Sequence, residues 1–179
     1  PSSSGSPSTG AIRLFRAAAL VTFLAVVMGS VVCATESGAA CPTWPGCYPG
    51  QVVPGAQLNP IIEFTHRVVA ILAGPLLLAA AITGTRIAGA GARVKVLPWI
   101  ALVCAGLSAV FGRIVVLAHL PLWWGVVDLL CALVAMIAMG IATLSLQNPR
   151  ARWAPTALSH SAALACGLVS RLVEEEELM

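Results

Sequence analysis

Four long apolar runs, separated by short polar or turn-rich stretches, dominate this chain. Residues 12–32, 61–83, 96–117 and 122–146 each hold about the 20 residues that carry a helix across roughly 30 Å of hydrocarbon. None shows the alternation of a membrane β-barrel, the other way to satisfy the backbone in lipid. The pattern predicts an all-α integral membrane protein, a four-transmembrane-helix bundle over residues 11–146. Its longest connection, 33–60, is turn-rich, with Gly38, Gly46, Gly50, Gly55, Pro42, Pro45, Pro49, Pro54 and Pro60. Residues 1–10 are rich in Ser, Gly and Pro and read as a disordered N-terminus. The first apolar run is too long for a signal-peptide core and lacks a small-x-small cleavage site, so it reads as a retained helix. In the C-terminal segment 147–179, residues 154–173 form a fifth helix that either spans or lies in the interface, since Ser159, His160, Ser161 and Arg171 interrupt them. The acidic run 174–177 reads as a solvated end. No internal repeat is evident.

Composition agrees. Hydrophobic residues make up 59% of the chain and charged residues 9%, against about 25% charged in soluble domains. The net charge of +3 says less than its distribution. Most basic residues form three groups, Arg13/Arg16, Arg86/Arg93/Lys95 and Arg150/Arg152, and with four spans all three fall on one side. The positive-inside rule makes that side the cytoplasm. The expected protein is therefore a multi-pass plasma-membrane protein with a cytoplasmic N-terminus and the cysteine-bearing loop outside. Lipid explains the basic groups, and no nucleic-acid partner is expected.

Outside the acidic run the acidic residues are Glu36, Glu63 and Asp128. With His66, Arg67, Arg113 and His119 they all come out near the outer face. Ionisable groups at membrane depth are costly and mark functional sites. Glu63 and His66, three positions apart, share a helix face. Neutral imidazole is a good iron ligand, though His66 also reads as a histidine hydrogen-bonded inside the bundle. Glu63 is a candidate for proton exchange or for an ion pair with Arg67 or Arg113. His119, in the turn before Pro121, is either a second axial ligand or an interfacial residue. Asp128 is most simply paired with Arg113. Arg67 and Arg113 also match the carboxylates of a ligand, heme propionates among them. Cys41 and Cys47, in the outer loop, suit a stapling disulfide, a redox pair or, less well, a metal site. Cys33 reads as a buried thiol, and Cys104, Cys131 and Cys166 as packing residues. Trp44, Trp99, Trp123, Trp124 and Trp153 fit an interfacial aromatic belt.

Taken in order, Thr35-Glu36-Ser37-Gly38, Cys41-Pro-Thr-Trp-Pro-Gly-Cys47 and Glu63-Phe-Thr-His66-Arg67 resemble the heme A synthase family over roughly residues 12–146. Members of that family usually have eight transmembrane helices in two similar halves, so the resemblance implies a compact, half-length variant. It implies oxidation of the C8 methyl of heme O to a formyl group, giving heme A for cytochrome oxidase. The implied cofactor is heme, as heme b, substrate heme O or both. His66 would be an axial or substrate-heme ligand, Glu63 the catalytic carboxylate, and Cys41/Cys47 an outer pair able to form a disulfide. Implied partners are an external electron donor, heme O synthase, cytochrome oxidase and further copies of the chain. The family places a second histidine early in the fourth span, where this sequence has Asp128 and, some residues earlier, His119. Two other readings stand beside this one: a membrane thiol–quinone oxidoreductase using Cys41/Cys47, and a non-enzymatic heme carrier or oxidase assembly factor.

Overall fold

A computed structural model describes residues 7–44, 46–118 and 122–148, with backbone alone at 115–118 and 122–123. It contains four α-helices: α1 (Thr9–Ala34), α2 (Leu58–Arg86), α3 (Ala92–Ala118) and α4 (Leu122–Gln147). All four contain segments long and apolar enough to cross a membrane, so the protein is an all-helical, multi-pass membrane bundle. The described residues contain no strand. His119 and the expected C-terminal helix at 154–173 lie outside the described residues.

Three helices start about a turn before the expected boundary. α1 begins at Thr9, inside the stretch expected to be disordered, because Ser8 Oγ caps it by accepting from the Ala11 N–H at 3.2 Å. α2 starts before Ile61, with Pro60 in its first turn, where the missing N–H costs nothing. α3 starts at Ala92, ahead of the apolar run, since helix continues through polar interfacial residues. Pro75 and Pro98 sit inside α2 and α3, as membrane helices tolerate.

The helices form a ring in which each packs on its neighbours and α4 closes on α1. Packing is closer within α1–α2 and within α3–α4 than between the two hairpins. Two ends are thereby defined. At the basic end, Arg16 donates to Gln147 Oε1 at 3.0 Å and Thr143 Oγ1 donates to the Phe15 carbonyl at 3.1 Å, tying α1 to α4. There too α2 crosses α3 so closely that a Cβ on Gly84 would lie 2.3 Å from the Val94 carbonyl oxygen. Small residues permit such approaches where lipid provides no hydrophobic drive.

The apolar core is confined to this basic half. Its members are Ala11, Phe15 and Ala18 of α1; Ala73, Leu77 and Ala80 of α2; Val94 and Ala101 of α3; and Ala135, Ala138, Met139, Ala142 and Leu146 of α4. In the other half, α3 from 102 to 114 and α4 from 124 to 134 contain no fully buried residue among those described. Large apolar side chains such as Leu20, Leu72, Val103 and Leu130 face outward, as they do in lipid.

Candidate functional site

At the loop end α1 stops in a compact corner. The Thr35 N–H reaches the Val31 carbonyl at 2.9 Å, Glu36 adopts φ 52°, and the Ser37 N–H returns to the Val32 carbonyl at 2.9 Å. This left-handed residue after the last turn is a common helix terminator. The Thr35 and Ser37 hydroxyls are 2.6 Å apart. Beyond the corner, Cys41 and Cys47 form a disulfide with both residues fully buried. Tyr48 and Gln51 then exchange backbone hydrogen bonds of 3.1 and 3.0 Å across a turn with Gly50 at φ 74°.

Glu63 and Arg67, one turn apart on α2, bind this loop. They are paired with each other, and Glu63 Oε2 accepts from the Cys41 N–H at 2.8 Å. The Arg67 guanidinium donates to the carbonyls of Cys41 and Gly46, both at 3.0 Å, and of Thr43. Glu63 is 3% exposed and Arg67 8%. Buried charges persist when paired and fully hydrogen-bonded, and here each has its partners. The pair clamps the disulfide loop onto the first turns of α2. Arg67, expected among the cofactor-binding residues, has its donors committed to loop carbonyls instead. Glu63 carries the ion pair that was one of its two expected roles.

His66 lies between these two residues in sequence but on the interior side of α2. Its ring packs on α1, where a Cβ on Gly29 would be 3.3 Å from Cε1. Its Nδ1 is sealed from solvent and has no hydrogen-bond partner among the described residues. Asp128 stands across the bundle on α4. The Asp128 carboxylate in turn rests on α3: Ser108 Oγ donates to Oδ1, and a Cβ on Gly112 would be 3.4 Å from Oδ2. No hydrogen bond reaches Oδ2 among the described residues.

The expected Arg113–Asp128 pair does not form. Arg113, adjacent to Gly112 but rotated about 100° around α3, is exposed and lies over the Trp44 ring, 5.2 Å from its centroid. Asp128 points to Ser108 instead. Cys33, read as buried, is exposed at the end of α1, because the loop packs over α2. The structure thus brings together Glu63, Arg67, Cys41 and Cys47 in one cluster, while His66 packs against Gly29 and Asp128 against Gly112. Glu36 stays exposed. The sequence reading missed Ser108, Gly29 and Gly112; a Ser-x-x-x-Gly spacing on α3, which places two small residues on one face, was the available signal. A groove of about 600 Å³ runs between the loop and α2, floored by Phe64, Val68 and Ile71. These lie on the α2 face opposite His66, so the groove is separate from that residue.

Comparison with known proteins gives partial matches. The chain is 36% identical over 78 residues to the heme A synthase of Halalkalibacterium halodurans, covering 42% of this chain and 26% of that protein. It is 40% identical over 82 residues to the heme A synthase of Shouchella clausii, covering 43% and 26%. It is 33% identical over 121 residues to the protoheme IX farnesyltransferase of Haloarcula marismortui, covering 63% and 26%. The matches span about a quarter of the length of these curated relatives. No family model matches. The chain is a distant relative of heme A synthase.

Proposed function

We propose that this chain binds a heme in the loop half of the bundle, with His66 as iron ligand, and oxidises the C8 methyl of heme O to a formyl group, giving heme A. The observation that carries the reading is the buried, unpartnered His66 Nδ1, placed above the level where apolar packing ends. Helix bundles build cofactor sites from side chains on facing helices, and a neutral imidazole suits iron. When bound, the heme supplies the oxidising chemistry. The chain's part is to orient it and keep water out. Arg113, which forms no ion pair among the described residues, would anchor a propionate at the loop end. Glu63 is the essential carboxylate of the proposal. With one oxygen on Arg67 and the other on the Cys41 N–H, its geometry favours holding the loop on α2 above free proton exchange.

The reading includes an external electron donor, a neighbouring heme O synthase as supplier, cytochrome oxidase as destination, and assembly into a homo-oligomer. His119 enters it as a candidate second ligand. In this reading the N-terminus is cytoplasmic and the disulfide loop outside, which the distribution of basic groups supports. Burial of both sulfurs favours a stapling role for Cys41–Cys47 over thiol–quinone exchange.

A second reading is favoured by the farnesyltransferase relative. A heme-binding module with no oxidation of its own suits both named activities, as a carrier. Mass-resolved chromatography of hemes from a host that makes heme O, with and without this protein, separates the two. Heme A or its hydroxylated precursor appearing only with the protein supports the synthase. Unchanged heme O bound to the purified protein supports the carrier. His66→Ala is expected to remove bound heme, and unchanged heme content in that variant refutes the ligand assignment.

A further inference from the structure

We propose that the groove between the disulfide loop and α2 binds the headgroup of an isoprenoid quinone, whose tail runs down α2 into the bilayer. The floor of the groove, Phe64, Val68 and Ile71, sits on α2 at i, i+4 and i+7. These positions form one stripe about 10 Å long, parallel to the helix axis. Val68 and Ile71 are exposed on the outside of a helix apolar enough to span the membrane, so the lower end of the stripe opens to hydrocarbon. At the upper end the loop contributes Trp44, Tyr48 and Gln51. A ligand that follows the groove is therefore an amphiphile, with a polar head at the loop and an apolar tail along the helix.

Three properties of the upper end define the head. First, no charged side chain lines the groove among the described residues, and Arg113, over the Trp44 ring, is not part of its lining. A phosphate or carboxylate finds no cation there to pair with, so the head is neutral. Phospholipid headgroups and heme propionates are disfavoured on the same ground. Second, hydrogen-bond donors are free. Thr43 spends its hydroxyl on the Gly46 carbonyl at 3.1 Å. The Tyr48 hydroxyl, the Gln51 amide and the Trp44 indole N–H donate to no group among the described residues. They suit a head that presents acceptors, as quinone carbonyls do. Third, Trp44, Tyr48 and Phe64 supply aromatic surfaces, which favour a planar ring. A neutral, planar, acceptor-bearing head on a long apolar tail is a quinone. The volume of about 600 Å³ falls within the range of small-molecule sites, roughly 300–1,000 Å³. His66 lies on the opposite face of α2, so the binding does not rest on the proposed heme site. It goes beyond that reading by giving a chemical class for its external electron donor.

The test is photo-crosslinking. The purified full chain, without hemin, is placed in quinone-free phosphatidylcholine liposomes with an azido-ubiquinone and irradiated, and labelled peptides are identified by mass spectrometry. Label is expected within residues 43–52 or 64–71. Excess ubiquinone should remove it, whereas equal excess of phosphatidylglycerol or of the headless prenol geranylgeraniol should not. Val68→Trp fills the floor from a lipid-exposed position and should abolish the label while the thermal midpoint in detergent stays near wild type. Tyr48→Phe keeps the ring, removes one donor and should weaken competition by ubiquinone ~2–10-fold. Labelling spread along the helices, or removed equally by the prenol or the phospholipid, makes the groove a general lipid furrow and overturns the inference. Wild-type labelling and competition in both variants overturns it too. Added hemin should leave the label unchanged, and displacement by hemin would assign the groove to heme instead. The labelling itself uses no heme, so this inference and the proposed function fail separately.

Discussion

Replacing Glu63 by Gln preserves size but removes the charge that Arg67 and the Cys41 N–H share. The amide has one acceptor where the carboxylate used two, so its NH2 must face either the guanidinium or the Cys41 N–H, a donor against a donor. Hydrogen bonds to charged groups contribute about 1.5–3 kcal/mol, and stranding a buried donor costs a similar amount. Arg67 keeps its three loop carbonyls, so the loss stays below the figure for a wholly uncompensated buried charge. The closed loop should be weakened by about 2–3 kcal/mol. Both disulfide sulfurs are sealed when the loop is closed, so reduction proceeds through local opening. At low reductant the rate then follows the open population, which rises ~30–150-fold for that change. The assay blocks the free thiols of detergent-purified protein, adds a water-soluble reductant and counts newly exposed thiols by mass tagging. Arg67→Lys, which keeps the charge but loses the fork, should open the loop at least as far. A Glu63→Gln protein reduced at the wild-type rate would show that the clamp does not hold the loop.

Three further outcomes follow from the packing. Gly84→Ala places a methyl 2.3 Å from the Val94 carbonyl oxygen, so the basic end must separate; a loss of roughly 1–3 kcal/mol should appear as a lower thermal unfolding midpoint in detergent, and an unchanged midpoint refutes the close crossing. Gly29→Ala presses on His66 at 3.3 Å and should weaken hemin uptake while leaving that midpoint near wild type. Thr143→Val removes the buried hydroxyl joining α4 to the Phe15 carbonyl and should cost about 1 kcal/mol, again read as a midpoint shift.

The helices were legible because spanning hydrocarbon demands about 20 apolar residues and leaves little freedom in where they lie. The cluster at the loop end was legible for the converse reason: Glu63, His66, Arg113 and Asp128 are rare residues in such runs. Which of them meet was not legible. Residue 113 and residue 112 differ by one position and about 100°, and that rotation decides whether α3 offers Asp128 a guanidinium or a bare glycine. Nor did the sequence reveal that Arg67 would turn to loop carbonyls, because the shape of the loop between Cys41 and Cys47 decides where acceptors lie. Ser108 carries no charge and so gave no signal until its neighbour across the bundle was known. Capping by Ser8 was a sequence-level signal of ordinary type, masked by the disorder-prone composition around it.

The confinement of the apolar core to the basic half sets a gradient of stiffness along the bundle. At that end the helices interlock through Phe15, Leu77 and Met139, and parting them would open voids. At the loop end each hairpin is held mainly within itself, α1 to α2 by the clamped disulfide loop and α3 to α4 by their close packing. The molecule therefore behaves like a tuning fork, with a rigid stem and two prongs that flex against each other at little packing cost. His66 stands on one prong and Asp128 on the other, so the spacing of the prongs sets the space between them.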